Sequence, residues 1–266
     1  MCFMEEDQEK TMLEQSIFRM TGAVQEILGE RFLSGYLYGS AALNDFQLGW
    51  SDIDVLYLSR CPLRVQEAEA LVNLRQAMLE KEPDNPYFRG FEGAILSLEE
   101  FLRKEDQPIV YWGTSGQKIK SQYDLDPFSR LEIIQYGKLL AGEDVRSRLP
   151  HPSYSDLASA VRFHYDTIRK YAVQTNESLY SCGWLLDIAR CMYTLRTGHI
   201  IAKTRAGEWA LENHLCPDET ALRRTLEIRR NPPQYKNGPE TKLWLASLGP
   251  VVQSFADVLE KALNAL

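Results

Sequence analysis

Long apolar runs, paired cysteines and a surplus of positive charge are all missing from this sequence of 266 residues. A helix needs about 20 mostly apolar residues to cross a bilayer, and no stretch supplies them. The start, Cys2-Phe3-Met4, runs at once into acidic residues instead of a basic segment followed by an apolar one. Neither a membrane span nor a secretory signal peptide is expected. Cys2, Cys61, Cys182, Cys191 and Cys216 are odd in number and show no Cys-x-x-Cys spacing. That argues against a disulfide framework or a zinc site and for reduced thiols in the cytoplasm. The four histidines, His151, His164, His199 and His214, form no metal-binding pattern. With 30 basic against 37 acidic residues the net charge is −7, the wrong sign for a broad nucleic-acid surface. It suits the attraction of a cationic ligand to an acidic cleft.

What is present is an ordinary globular composition, 44% hydrophobic and 25% charged, in a chain long enough for one large or two moderate domains. One stretch organises it. Leu37-Tyr38-Gly39-Ser40 reads as a strand entering a turn, and Ser51-Asp52-Ile53-Asp54-Val55 as a second strand carrying two carboxylates. Gly39 allows a sharp turn and a close approach of backbone to ligand. Ser40 offers a hydroxyl and a backbone N–H, the groups that hold phosphate oxygens. Asp52 and Asp54, two apart in a strand, share a face and repel each other unless a cation lies between them. Hard oxygen ligands of this kind suit Mg²⁺.

Each half alone has a bland reading, an ordinary turn and a solvated strand face. The conjunction of Gly-Ser, eleven intervening residues and Asp-x-Asp resembles the signature of the DNA polymerase β-like nucleotidyltransferase superfamily. Within it, Tyr-Gly-Ser-Ala and Ser-Asp-Ile-Asp-Val are most similar to the aminoglycoside nucleotidyltransferases, in particular the streptomycin and spectinomycin adenylyltransferases. The resemblance implies Mg²⁺ held by Asp52 and Asp54, and ATP as co-substrate with phosphates held around Gly39, Ser40 and Ser51.

Along the chain, Leu13, Ile17, Met20, Val24 and Leu28 mark a helix over 8–29, ended by Gly29. Strands are expected at 32–38 and 52–58. A helix over 64–81 would turn Val65, Leu71, Leu74 and Leu79 inward, and Pro83 to Pro86 make a turn. A third strand, 87–98, places Phe88, Gly90, Glu92, Ala94 and Leu96 on one face. A carboxylate on such a face is costly unless it is paired or binds metal, although Glu92 could also lie at a solvated edge. The resemblance implies that Glu92 is the third acid, acting as general base and metal neighbour.

Tyr111-Trp112-Gly113-Thr114-Ser115-Gly116 precedes a short strand ending at Tyr123. Trp112 is a candidate wall for a sugar ring by resemblance, or a packed core residue. A helix at 128–138 would be N-capped by Asp126 or Ser129. The resemblance also makes Asp126 a candidate nucleotide contact.

Turn composition at 142–153 sets a boundary near residue 150. Beyond it the pattern is helical throughout. Leu157, Ala160, Val161, His164, Ile168 and Tyr171 form one face. Trp184, Ile188, Cys191 and Leu195 form another, capped by Gly198. Trp244 to Leu263 form a last helix. The expected fold is α/β (α+β) with a small mixed sheet over residues 1–150, then an all-α bundle over 151–266, with ATP in the cleft between them.

The helical part, from Leu185-Leu186-Asp187-Ile188-Ala189-Arg190 to Lys203, is similar to the helical domain of the streptomycin and spectinomycin enzymes. That similarity implies that Arg190 and Lys203 reach the nucleotide phosphates and that Tyr235 lies near the nucleotide. Taken alone, Arg190 could equally pair with Asp187 or Glu208, and Lys203 could be a plain loop lysine. Where the family meets the antibiotic with acids, only Glu177 is acidic here, so the acceptor contacts differ. The implied reaction is transfer of AMP to a hydroxyl of a small cationic acceptor, an aminoglycoside or aminocyclitol, by a monomer or homodimer. Two alternatives are adenylylation of a protein hydroxyl and a nucleotide-binding regulatory module without catalysis.

Overall fold

The structure, a computed structural model, describes residues 2–113 and 116–266; Thr114 and Ser115 of the aromatic, glycine-rich stretch fall outside these. It divides into two compact units, one of 1–42, 52–125 and 133–150, the other of 43–51, 126–132 and 151–266. The helix that follows Asp126 belongs partly to each.

In the first unit, α1 (Cys2–Leu28) leads through a 3₁₀ turn into β1 (Phe32–Tyr38). A single helical turn, α2 (Gly39–Ala42), closes β1, and β2 (Ile53–Ser59) lies beside it. After α3 (Val65–Lys81) come β3 (Phe91–Ser97), α4 (Leu98–Arg103), β4 (Ile109–Gly113) and β5 (Gly116–Lys120). Then α5 (Pro127–Tyr136) leads to β6 (Lys138–Gly142). The sheet order is β5-β4-β3-β2-β1-β6, and only β2 and β3 are parallel. A parallel pair needs a crossover, and α3 supplies it. One face packs Tyr36, Leu56, Leu58, Ala94, Leu96 and Ile133 into a core.

Sequence patterning and structure differ here at particular places. Val65, expected inward, is exposed, and the inward position of α3 is taken by Arg75. Residues 87–90 are a 3₁₀ turn and its lead-in instead of strand, and Leu98 already begins α4. The turn-like composition around Gly142 conceals β6, an edge strand paired with β1. Its apolar residues are half exposed, so no alternation announced it.

In the second unit, α6 (Tyr154–Tyr171) starts on a reciprocal cap, Ser153 Oγ accepting from the Asp156 N–H while the Asp156 carboxylate accepts from the Ser153 N–H. Then follow α7 (Tyr180–Thr197), α8 (Lys203–Glu212), α9 (Glu219–Arg230), the short α10 (Pro232–Tyr235), α11 (Pro239–Ala246) and α12 (Gly249–Asn264). Gly198 ends α7 in the left-handed region at φ 70°, as the glycine there suggests. Tyr171, expected inward, is exposed, and Tyr165 is buried on α6 instead. The expected single helix over 244–263 is two. Pro250 lacks an N–H and disfavours helix before it, so the chain breaks at Ser247-Leu248 and restarts as α12. Leu185, Ile188, Leu222, Val252 and Phe255 share the core of this unit. Among the described residues no helix is long and apolar enough to cross a membrane.

Asp126 settles at the start of α5 as its N-cap. Its Oδ1 accepts from the Phe128 and Ser129 backbone N–H groups at 2.9 and 3.1 Å, and Ser129 donates its hydroxyl to Oδ2 at 2.6 Å. These bonds fill two of the unpartnered donors of the first turn. Asp126→Ala is expected to lower stability by about 1 kcal/mol and to leave ATP affinity unchanged. Thermal melting and ATP titration together check this, and a large loss of ATP binding would restore the nucleotide-contact reading.

Candidate active site

Strand register assembles the acids of the first unit. Asp54 pairs with Glu92 across the parallel β2–β3 ladder and with Tyr38 across β1–β2. In-register neighbours share a face at about 4.8 Å between strands. The two carboxylates therefore stand side by side. Asp52 lies just before β2 and, like Asp54 and Glu92, is half-buried.

The turn after β1 is shaped around Asp54. Gly39 sits at φ 64°, in the left-handed region, and a Cβ there would lie 2.0 Å from Asp54 Oδ2. Glycine is needed twice over, for its backbone and to leave room for the carboxylate. Ser40 follows, its hydroxyl 3.5 Å from the Asp52 carbonyl oxygen. Ser51 uses its hydroxyl oxygen to accept the Gln47 N–H at 3.0 Å, closing the turn before Asp52.

Two residues that sequence reasoning did not single out complete this constellation. Tyr111 donates its hydroxyl to Glu92 Oε1 at 3.0 Å. Burial chiefly, then the charges of Glu92, Asp54 and Asp52, push its phenol up to about 12, so it stays a donor. Behind the carboxylates, the buried Arg75 donates to the Phe91 and Gly113 carbonyls at 2.8 and 3.2 Å and to Gln117 Oε1 at 2.8 Å. Burial lowers its pKa, and the fields of Glu92 and Asp52 work the other way. Neither residue carries a local motif. For Tyr111, only the pairing of Ala94 with Tyr111 in the β3–β4 ladder puts the phenol on the face of Glu92.

Among the described residues, no three His, Cys, Asp or Glu side chains are grouped so as to hold a metal by themselves. Hard carboxylates on one face nonetheless match Mg²⁺, which commonly takes one or two carboxylates and completes its shell with water and substrate phosphate.

In the second unit, Arg190 and Lys203 share partners. Arg190 Nη1 lies 3.3 Å from Glu132 Oε1, Nη2 lies 4.0 Å from Asp187 Oδ1, and the guanidinium stands 5.4 Å from the Phe128 ring centre. Lys203 Nζ lies 2.9 Å from the same Asp187 oxygen. Burial is the largest influence on Asp187 and pushes its pKa up, but Lys203 and Arg190 together overcome it and hold the carboxyl below its usual range. The ion-pair reading of Arg190 with Asp187 is thus realised, whereas Glu208 pairs with Arg205 and Arg230. Glu132 and the double use of Asp187 had no sequence signal. His164 packs edge-on against Phe128 at 5.2 Å, and burial, reinforced by Arg190, lowers its pKa. It is a neutral packing residue.

The remaining candidates are placed as follows. Trp112 is fully buried; its indole N–H donates to the Leu71 carbonyl at 3.0 Å, and its ring stands between Tyr57 and Phe91. The sugar-wall expectation is corrected, because the ring faces core on every side. Tyr235 is half-buried and donates its hydroxyl to Glu227 at 2.5 Å. Glu177 is exposed, 4.0 Å from Lys242.

Residues 149–262 match the family described as the C-terminal domain of aminoglycoside adenylyltransferases. No curated protein matches the chain at a significant level. Among solved structures, the chain is similar to spectinomycin adenyltransferase AAD(9) from Enterococcus faecialis, crystallised with ATP and spectinomycin. The identity is 17%, the TM-score 0.64, and the match covers 92% of this chain and 99% of that one. The mixed sheet followed by a helical region is the fold of that enzyme. The similarity to aminoglycoside adenylyltransferases read from the sequence is matched by that family's C-terminal domain over residues 149–262, and the expected fold by the solved structure.

Proposed function

We propose that this chain, whose residues 149–262 match the C-terminal domain of aminoglycoside adenylyltransferases, transfers AMP from ATP to a hydroxyl of an aminoglycoside or aminocyclitol. The observation that carries the reading is the in-register pair Asp54 and Glu92, with the Gly39 turn fitted against one and the Tyr111 hydroxyl bonded to the other. Such a pair is costly to keep on one face without a cation and a reacting group to serve. The similarity to AAD(9), crystallised with ATP and spectinomycin, supports the choice of nucleotide and acceptor class.

Glu92 accepts the proton of the acceptor hydroxyl. The freed oxygen attacks the α-phosphorus in line, the new P–O bond forms as the bond to pyrophosphate breaks, and the product is an O-adenylylated acceptor. Tyr111 keeps Glu92 oriented by donating to one oxygen, leaving the other for the substrate. Ser40 offers its hydroxyl and N–H to the triphosphate. Arg190 and Lys203 are the proposed cationic contacts of the phosphates, exchanging part of their pairing with Asp187 and Glu132 for phosphate oxygens. Asp52 and Asp54 would hold Mg²⁺, which supplies charge neutralisation at the phosphates and the leaving group.

The test is pyrophosphate release from ATP and Mg²⁺ across spectinomycin, streptomycin, kanamycin-type aminoglycosides and lincosamides. Release with one of the first three classes supports the reading. Silence across the panel with ATP still binding transfers the proposal to a protein hydroxyl, and silence without ATP binding sinks it. Chelation with EDTA is expected to stop release and added Mg²⁺ to restore it; turnover that survives EDTA would remove the metal from the reading.

A further inference from the structure

Within the second unit a buried ionic node joins three pieces of chain that lie far apart in sequence. Asp45 and Arg229 are both buried, and Arg229 Nη2 donates to Asp45 Oδ2 at 2.7 Å and to the Asp45 carbonyl at 3.1 Å. Thr204 closes the ring. Its N–H donates to Asp45 Oδ2 at 3.2 Å, its hydroxyl donates to Asp45 Oδ1, and its oxygen accepts from Arg229 Nε at 3.0 Å. The guanidinium stands 5.4 Å from the centre of the Trp50 ring.

Thr204 is the second residue of α8, and Lys203 the first. The residue in the capping place, Ala202, has no side-chain acceptor. The backbone donor that an N-cap would ordinarily take is instead filled by a carboxylate 159 residues away in sequence. An anion there also suits the positive end of the helix. Lys203 therefore stands beside a pinned residue, the Thr204 N–H being held by Asp45, while its own ammonium is held by Asp187 at 2.9 Å.

We propose that Asp45, with Arg229 neutralising it and Thr204 receiving it, is a positioning residue that fixes Lys203 for the nucleotide triphosphate. This rests on the reading of Lys203 as a phosphate contact. A buried ion pair is a poor route to stability, since desolvation offsets most of its attraction, and its best-supported use is to specify one register. Here the register specified is the first turn of α8. The phosphate-facing ammonium cannot be placed to hydrogen-bonding accuracy if that turn frays.

The experiment is a double-mutant cycle on the full chain, reading ATP affinity by calorimetric titration and stability by thermal melting. Thr204→Val removes the hydroxyl with little change of shape, and Asp45→Asn removes the charge. Should Asp45→Asn not fold, Thr204→Val carries the test alone. Lys203→Ala is expected to weaken ATP binding about tenfold or more, the worth of a charge-assisted contact. Thr204→Val should weaken ATP about fivefold in the parent, the size of a coupling within one hydrogen-bond network, and hardly at all in the Lys203→Ala background. Its effect on melting should be the same in both. An equal loss of ATP affinity in both backgrounds, or none in the parent, overturns the inference while leaving the phosphate reading intact. Unchanged ATP binding in Lys203→Ala overturns the phosphate reading itself, and this inference with it.

Discussion

Glu92→Gln is expected to lower kcat by about 10²–10⁴-fold, the usual contribution of a positioned general base, while the protein folds and binds ATP. The amide keeps the shape of the side chain and an oxygen to accept from Tyr111, which now lies 3.0 Å from Glu92 Oε1. It cannot take a proton from the acceptor hydroxyl. The substitution also removes one of two charges that face each other in register with Asp54, so melting temperature should hold steady or rise. Pyrophosphate release, ATP titration and thermal melting on one preparation separate the cases. Near-parental turnover would remove Glu92 from the chemistry. Loss of folding would instead show the carboxylate to be a structural partner of Tyr111.

Gly39→Ala is the second large effect, and it arises from space, not from charge. A non-glycine residue at φ 64° costs about 1–3 kcal/mol in backbone strain. The added methyl would also meet Asp54 Oδ2 at 2.0 Å, so either the turn or the carboxylate must move. A shift of about 1 Å at a reacting centre costs on the order of 10²-fold in rate. At least that loss in kcat/KM is expected, with a drop of a few degrees in melting temperature. Gly22→Ala in α1 is the control: a Cβ there meets nothing within 4 Å, and alanine favours a helix interior over glycine by about 0.5–1 kcal/mol. Equal kinetics for Gly39→Ala and the parent would show that the turn does not govern where Asp54 sits.

The central motif was legible because it is local. Gly39, Ser40, Asp52 and Asp54 lie within sixteen residues, and both the turn and the period of a strand can be read at that range. β1 was found with its observed bounds, Phe32–Tyr38, because an apolar run ends at a glycine. Elements read less well wherever a neighbouring element, and not the local pattern, decides burial. α3 buries Arg75 because carbonyls of Phe91 and Gly113 receive the guanidinium, a fact invisible in a helix pattern that favours Val65. β6 is strand because β1 offers it an edge to pair with. Trp112 packs beneath α3 because the Leu71 carbonyl accepts its indole N–H, so an aromatic residue in a glycine-rich stretch turns inward instead of facing a ligand.

By itself the sequence determined the chemistry available: a glycine–serine turn, two carboxylates on one strand, a third on another, and cations in a helical second half. These follow from residue type, short spacing and resemblance, which need no fold to state. Only the tertiary structure decided which groups face one another. Tyr111 reaches Glu92 through strand pairing, and Asp187 serves both Arg190 and Lys203 across a helix turn and a loop. Asp45 caps α8 from 159 residues away in sequence. Such contacts have no signature along the chain, because a hydrogen bond depends on distance in space, and folding brings together residues whose separation in sequence carries no trace of it.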